Sequence, residues 1–261
     1  MTSTDNILFD VDAGVARITL NRPTAGNALD LALATDLAAA ALRCDHRSGI
    51  KAVLITANGR MFCAGGDLKA FSGFGDQAGV RIKEIADQFH KAIALFARMR
   101  ALVVVAVNGP AAGAGFSLAL AGDYVLAAES ARFTMAYTAA GLTPDGGSTY
   151  HLTRLVGLRR AQELVLANRT LGAEEALAWG IVTRVVPDAS LAEEAESICR
   201  RFAAGPAHAH AAAKQLLLNS LRSGLEEQME MEGRDIARCA MSSDGKEGVR
   251  AFLEKRKPVF K

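Results

Sequence analysis

The sequence predicts an α/β fold, a βαβ core with a largely parallel sheet followed by a C-terminal helical region. Three observations predict it. Strand-length apolar runs alternate with helical patterns up to about Ser190, as in a sheet whose strands are joined by crossovers. Two of those runs, Ala52–Thr56 and Val103–Val107, lead into glycine-rich turns that open helices. Beyond Ser190 every pattern is helical.

The elements follow in order. Ile7–Val11 and Val15–Leu20 flank Asp12-Ala13-Gly14, a hairpin signal. Asn21-Arg22-Pro23 breaks the second strand. Asn27-Ala28-Leu29 leads into an Ala/Leu-rich helix ending near Arg43, with Leu29, Leu33 and Leu37 as its core-facing stripe. After the strand Ala52–Thr56 comes the corner Phe62-Cys63-Ala64-Gly65-Gly66-Asp67-Leu68-Lys69, and then Gly73, Gly75 and Gly79, which read as a mobile loop. Arg81–Arg98 is a helix with Ile82, Ile85, Phe89, Ile93 and Phe96 on its apolar side. The β-branched run Val103–Val107 is a strand buried on both faces. Asn108-Gly109-Pro110 stops it, ahead of small residues able to sustain a helix against a close neighbour. Tyr124–Ala128 and Arg132–Thr134 are short strands, and Tyr137–Gly147 is a loop holding Gly141, Pro144, Asp145, Gly146 and Gly147. Helical pattern resumes at Ser148–Leu155 and Arg159–Ala167, and Ala173–Gly180 is a short helix with a glycine stop. Ile181–Val186 reads as a strand, and the final helices break at Gly205-Pro206, Gly224 and Ser242–Gly245.

Composition narrows the class. Half of the 261 residues are hydrophobic, enough for a sizeable core. A net charge of +2 gives no reason to expect nucleic acid. The apolar runs are strand-length, far below the roughly 20 residues of a membrane span. Met1–Asn6 has no basic residue and no signal-like apolar segment after it, so a cytoplasmic protein is expected. Cys44, Cys63, Cys199 and Cys239 are scattered without paired spacing, which predicts reduced thiols and no zinc site. His208 and His210, two apart in a helix, project to different sides, and His46 and His151 have no evident partners, so no metal is expected.

At the start of a helix the backbone N–H groups are unpaired and sit at the positive end of the dipole. Two strand–turn–helix corners can therefore aim two donors at one carbonyl oxygen. Neither corner has the Gly-x-Gly-x-x-Gly spacing with a ribose-binding acid, so a Rossmann site is rejected.

Taken together the two corners, and the motifs from Asn21-Arg22-Pro23 to Phe252-Leu253-Glu254-Lys255-Arg256, resemble the crotonase (enoyl-CoA hydratase/isomerase) superfamily over nearly the whole chain. The motifs are closest to its phenylacetate-pathway ring-epoxide isomerase and 4-chlorobenzoyl-CoA dehalogenase branches. The resemblance implies a spiral of ββα units over 1–190 carrying an acyl-CoA site. It also implies an oligomerising helical region over 191–261, in a homotrimer or dimer of trimers. The expected oxyanion-hole donors are the N–H groups of Gly66 and Ala114, holding a thioester carbonyl. Hydratases of the family place glutamates where this chain has Ser117 and Tyr137, neither able to serve as a carboxylate base. Asp145 matches an aspartate that shuttles a proton in isomerases and attacks the ring in dehalogenases; a helix cap is the other use of that residue. His90 matches the dehalogenase base and Tyr137 its aromatic neighbour.

For coenzyme A the resemblance points to Arg22, Ala25, Ala64, Asp67 and Leu68, and to Phe252 and Lys255 on the same or a neighbouring subunit. Arg256, Lys257 and Lys261 read as a solvated basic tail. Asp67 is also suited to cap the helix behind the first corner. No cofactor is expected beyond the coenzyme A of the substrate. The expected function is an isomerase-type proton shuttle on an enoyl-CoA. The alternatives are an aryl-CoA dehalogenase, a hydratase with atypical residues, and a silent CoA- or RNA-binding relative.

Overall fold

The computed structural model describes residues 2–3 and 6–260, with side chains from Asn6 onward; Met1, Thr4, Asp5 and Lys261 lie outside the described residues. The chain opens with β1 (Thr2–Ser3), β2 (Ile7–Asp12) and β3 (Val15–Leu20), paired antiparallel, β2 and β3 meeting across the Ala13-Gly14 turn. Next come α1 (Leu31–His46), β4 (Ala52–Ala57), α2 (Leu68–Ser72), α3 (Ala78–Arg98), β5 (Leu102–Val107), β6 (Ala111–Ala112) and α4 (Ala114–Leu120). Then follow β7 (Tyr124–Ala128), β8 (Arg132–Thr134), α5 (Ser148–Leu166), β9 (Leu171–Gly172), α6 (Ala173–Ala178) and β10 (Arg184–Val186). Four helices finish the chain: α7 (Leu191–Ala203), α8 (Ala207–Ser220), α9 (Leu225–Met241) and α10 (Ser243–Leu253).

The main sheet runs β1-β2-β3-β4-β5-β7-β10 and is parallel from β3 onward. A second, three-stranded sheet runs β6-β8-β9. Both faces of the main sheet are covered, which is why its central strands are apolar without alternation. Val103, Val105 and Val107 face a core shared with Leu33, Leu37, Phe89 and Phe96 of α1 and α3. Val104 and Ala106 face Leu191, Ala195, Ile198 and Cys199 of α7. The helical region that begins at residue 191 therefore starts inside the core. The helices that stand off the sheet are chiefly α9 and α10, and α9 buries no residue of its own in the single chain.

Several local expectations are corrected. Leu29 precedes α1; its N–H donates to the Gly65 carbonyl at 2.7 Å, so it is buried as a bridge beside the first corner, not as a helix stripe. The Gly73–Gly79 segment is not an open loop. Asp67 caps α2 by accepting from the Ala70 N–H at 3.0 Å, a 3₁₀ turn spans Gly75–Gln77, and Gly79 lies in the first turn of α3. Ala111 and Ala112 are strand, not helix. Only Arg184–Val186 of the Ile181–Val186 run pairs in the sheet, because the turn at Gly180 bonds Ile181 back to the Ala176 carbonyl. The two helical patterns within α5 do meet at a break, Gly157, with φ +76° and ψ 164°.

An ion pair buried at its lysine end ties the helical region to the core. The Lys214 Nζ on α8 donates to Asp123 Oδ2 at 2.6 Å, to the Phe96 carbonyl at 2.7 Å and to the Ala101 carbonyl at 3.2 Å. Burial lowers the Lys214 ammonium and raises the Asp123 carboxyl from their ordinary ranges, and the pairing opposes both shifts. Asp123 is open to water and keeps the Val103 N–H, so Lys214→Met is expected to destabilise the fold by about 1–3 kcal/mol in urea unfolding, chiefly through the Phe96 and Ala101 carbonyls that lose their donor. A loss below about 0.5 kcal/mol would mean that water reaches those carbonyls and replaces the lysine.

Candidate active site

The two glycine-rich corners lie side by side, stitched by their backbones. Phe62 and Cys63 donate to the Pro110 carbonyl at 3.1 and 3.3 Å, and Ala112 donates to the Cys63 carbonyl at 2.9 Å. Glycine is needed at 115 for contact alone, since a Cβ there would collide with the Cys63 carbonyl oxygen. The N–H groups of Gly66 and Ala114 make no hydrogen bond among the described residues. Gly66 and Ala114 both line a cavity of about 320 Å³. Its apolar wall includes Phe71, Ile82, Ile85 and Leu142, with Phe71 closing over Gly66 and Asp145 on the same cavity. Asp145 is the single carboxylate among the residues that line it.

A chain of hydroxyls holds that carboxylate. The Tyr137 hydroxyl donates to Asp145 Oδ1 at 2.6 Å, and Ser117 Oγ lies 2.9 Å from the Tyr137 oxygen. Burial, and then the negative charge of Asp145, push the Tyr137 phenol far above its ordinary range, so it remains a protonated donor. Since its single proton goes to the carboxylate, the Ser117 hydroxyl donates to the Tyr137 oxygen, to the Asp145 carbonyl 3.1 Å away or to the Gly113 carbonyl 3.2 Å away. Ser117 is fully buried, which fits a hydroxyl whose partners are all protein groups. The positions that lack glutamates thus hold a polar network. In sequence Ser117 carried no sign of this beyond being a polar residue in an apolar helix.

His90 is elsewhere. It does not line the cavity, and its Nε2 accepts from the Gly146 N–H at 3.0 Å on the far side of the Asp145 turn. There it lines a second cavity, with Tyr150 and His151. Gly146 itself has φ +60° and no space for a side chain, since a Cβ would collide with the Phe89 ring and meet Ser117 at 2.8 Å.

The residues expected to meet coenzyme A fall into two groups. Ala64 and Leu68 line the cavity at the first corner. Ala25 lies beside them on an exposed turn, because Ala64 donates to the Gly26 carbonyl at 2.9 Å. Arg22 pairs with Asp30 at 2.8 Å and Asp67 at 3.4 Å, so its charge is already matched, and Asp67 also serves as the α2 cap. Asn27, missed in the sequence, locks this edge. It is buried with φ +54°, accepts from the Arg22 N–H at 2.8 Å and donates to the Asn58 and Met61 carbonyls. Phe252 and Lys255 form the second group, at and just beyond the end of α10, where Phe252 is exposed; neither lines the cavity of its own chain.

The Cys63 thiol in the first corner is buried, which pushes it up to about 11, unsuited to nucleophilic work. No set of three His, Cys, Asp or Glu side chains is placed to hold a metal ion among the described residues, and no helix there is long and apolar enough to cross a membrane. His208 lies against Arg100 and His210 against Phe202.

The family description "Enoyl-CoA hydratase/isomerase" matches residues 10–261. The chain is 39% identical over 255 residues to a Rhodobacter capsulatus protein named probable enoyl-CoA hydratase, covering 97% of each. It is 38% identical over 259 residues to the 1,2-epoxyphenylacetyl-CoA isomerase of Escherichia coli K12, again covering 97% of each. Against a 4-chlorobenzoyl coenzyme A dehalogenase of an Arthrobacter species, identity is 34% over 83% of this chain and 78% of that one. Among solved structures, an enoyl-CoA hydratase from Polaromonas sp. JS666 superposes with a TM-score of 0.93 at 32% identity, covering 98% of this chain and 99% of that one.

Proposed function

This chain belongs to the enoyl-CoA hydratase/isomerase family and is an acyl-CoA enzyme of it, and within the family we propose an enoyl-CoA isomerase-type proton shuttle. One observation carries the reading: the cavity is lined by Gly66 and Ala114, whose N–H groups are unpaired among the described residues, and by a single carboxylate, Asp145. A shuttle needs one group that takes a proton from one carbon and returns it to another. Hydration through two carboxylates needs a pair that this cavity does not have. The Gly66 and Ala114 N–H groups donate to the thioester oxygen, so the electrons left by the departing proton rest on an enolate. The Asp145 oxygen not engaged by Tyr137 takes that proton and delivers it to the far end of the allylic system, moving the double bond.

The dehalogenase reading has less support, because the His90 Nε2 lone pair is already committed to the Gly146 N–H. Nothing beyond the coenzyme A of the substrate is required. Ala64 and Leu68, with Ala25 and the Arg22–Asp67 edge beside them, would guide its pantetheine arm. Phe252 and Lys255 would serve the coenzyme A of a neighbouring subunit in a cytoplasmic homotrimer or dimer of trimers. The exposed Leu225, Met229 and Ile236 of α9 are the surface assigned to that assembly.

The test is NMR of an enoyl-CoA panel in deuterated water, wild type beside Asp145→Ala. Deuterium in the acyl chain with wild type alone is the expected result. Equal exchange by both proteins would refute the shuttle. Formation of 3-hydroxyacyl-CoA, or halide from an aryl halide thioester, would move the protein to the hydratases or the dehalogenases.

A further inference from the structure

We propose that His90 is a positioning residue for the Asp145 carboxylate, acting from outside the substrate cavity as a hydrogen-bond acceptor; this rests on Asp145 being the proton carrier. The peptide unit that joins Asp145 to Gly146 is held at both ends by side chains. Its N–H donates to His90 Nε2 at 3.0 Å, and its carbonyl accepts from Ser148 Oγ at 2.8 Å, with Ser117 Oγ beside it at 3.1 Å. These groups come from α3, α4 and the start of α5. With that peptide unit fixed in place, the Asp145 Cα it carries is fixed too, and displacement of the unit would carry the Asp145 side chain with it.

The turn has reason to need such a hold. Gly146 and Gly147 both have positive φ, +60° and +71°, and two adjacent glycines have more backbone freedom to lose than any other pair. Gly146 is wedged between Phe89 and Ser117, so α3 braces the turn by contact as well as by hydrogen bond. Phe89, the residue before His90, is fully buried, which makes that part of α3 a rigid base.

An imidazole that accepts at Nε2 carries its proton at Nδ1; once doubly protonated it has no lone pair to offer. His90 is exposed on the second cavity, so solvent protons reach it. Asp87 and Lys91 neighbour it on α3, and Asp145 lies across Gly146. Arg98 of α3, Tyr150 and His151 of α5 and Arg222 beyond α8 line the same cavity. Burial and then Arg154 hold His151 below its ordinary range.

The experiment compares His90→Gln and His90→Leu with wild type, reading kcat and KM for solvent-deuterium exchange, with Asp145→Ala as control and unfolding midpoints to confirm folding. Glutamine keeps a side-chain acceptor for the Gly146 N–H, so kcat should stay within about threefold. Leucine should lower kcat on the order of 10- to 100-fold with KM little changed, the cost of a misplaced group. Equal loss in both variants would overturn the proposal in favour of a base that touches substrate. No loss in His90→Leu would overturn it as well. Exchange persisting in Asp145→Ala would instead defeat the shuttle itself, a failure separate from that of His90.

Discussion

Asp145→Asn is expected to lower kcat by about 10²- to 10⁴-fold while leaving KM nearly unchanged. The substitution separates chemistry from geometry. An asparagine carbonyl oxygen can still accept the Tyr137 hydroxyl now 2.6 Å from Asp145 Oδ1, and the backbone bonds to Ser117 and His90 involve no part of the side chain. The variant loses only the ability to carry a proton. Steady-state kinetics in deuterated water check this, and a variant that turned over within about tenfold of wild type would reduce Asp145 to a turn residue.

Ala114→Pro is expected to fold and to lose about 10²- to 10³-fold in kcat, the usual cost of one oxyanion-hole donor. Ala114 is the first residue of α4, the position in a helix where proline fits because that N–H has no helical partner. Its N–H makes no other hydrogen bond among the described residues, so the fold does not depend on it. The ring also fills space beside the donor, which adds to the loss in the same direction. Thermal unfolding close to wild type together with the kinetic loss would place the N–H in catalysis. Full activity would remove Ala114 from the oxyanion hole.

Much of the fold was legible because its signals are local. Alternating strand and helix periods, the glycine breaks at Gly205 and Gly224 and the arrest at Gly157 each act within a few residues, where backbone sterics decide. Where a local signal competed with packing it misled. Leu29 continues a helical stripe in sequence yet bridges to Gly66, and the glycines at 73–79 look like a loop although the Asp67 cap and the α3 contacts order them. The family resemblance supplied the candidate donors and carboxylate, and the structure puts Gly66, Ala114 and Asp145 on one cavity.

By itself the sequence determined the α/β architecture, the two glycine corners, and the want of glutamates at Ser117 and Tyr137, because these are matters of residue type and short-range backbone conformation. The tertiary structure alone decided what those residues do to one another. Tyr137 reaches Asp145 across 8 residues of chain, Ser117 reaches its carbonyl across 28, and His90 reaches the Gly146 N–H across 56. Nothing in residue order specifies such pairings. They are set when α3, α4 and the Asp145 turn pack around Gly146, where the absence of a side chain lets three elements meet.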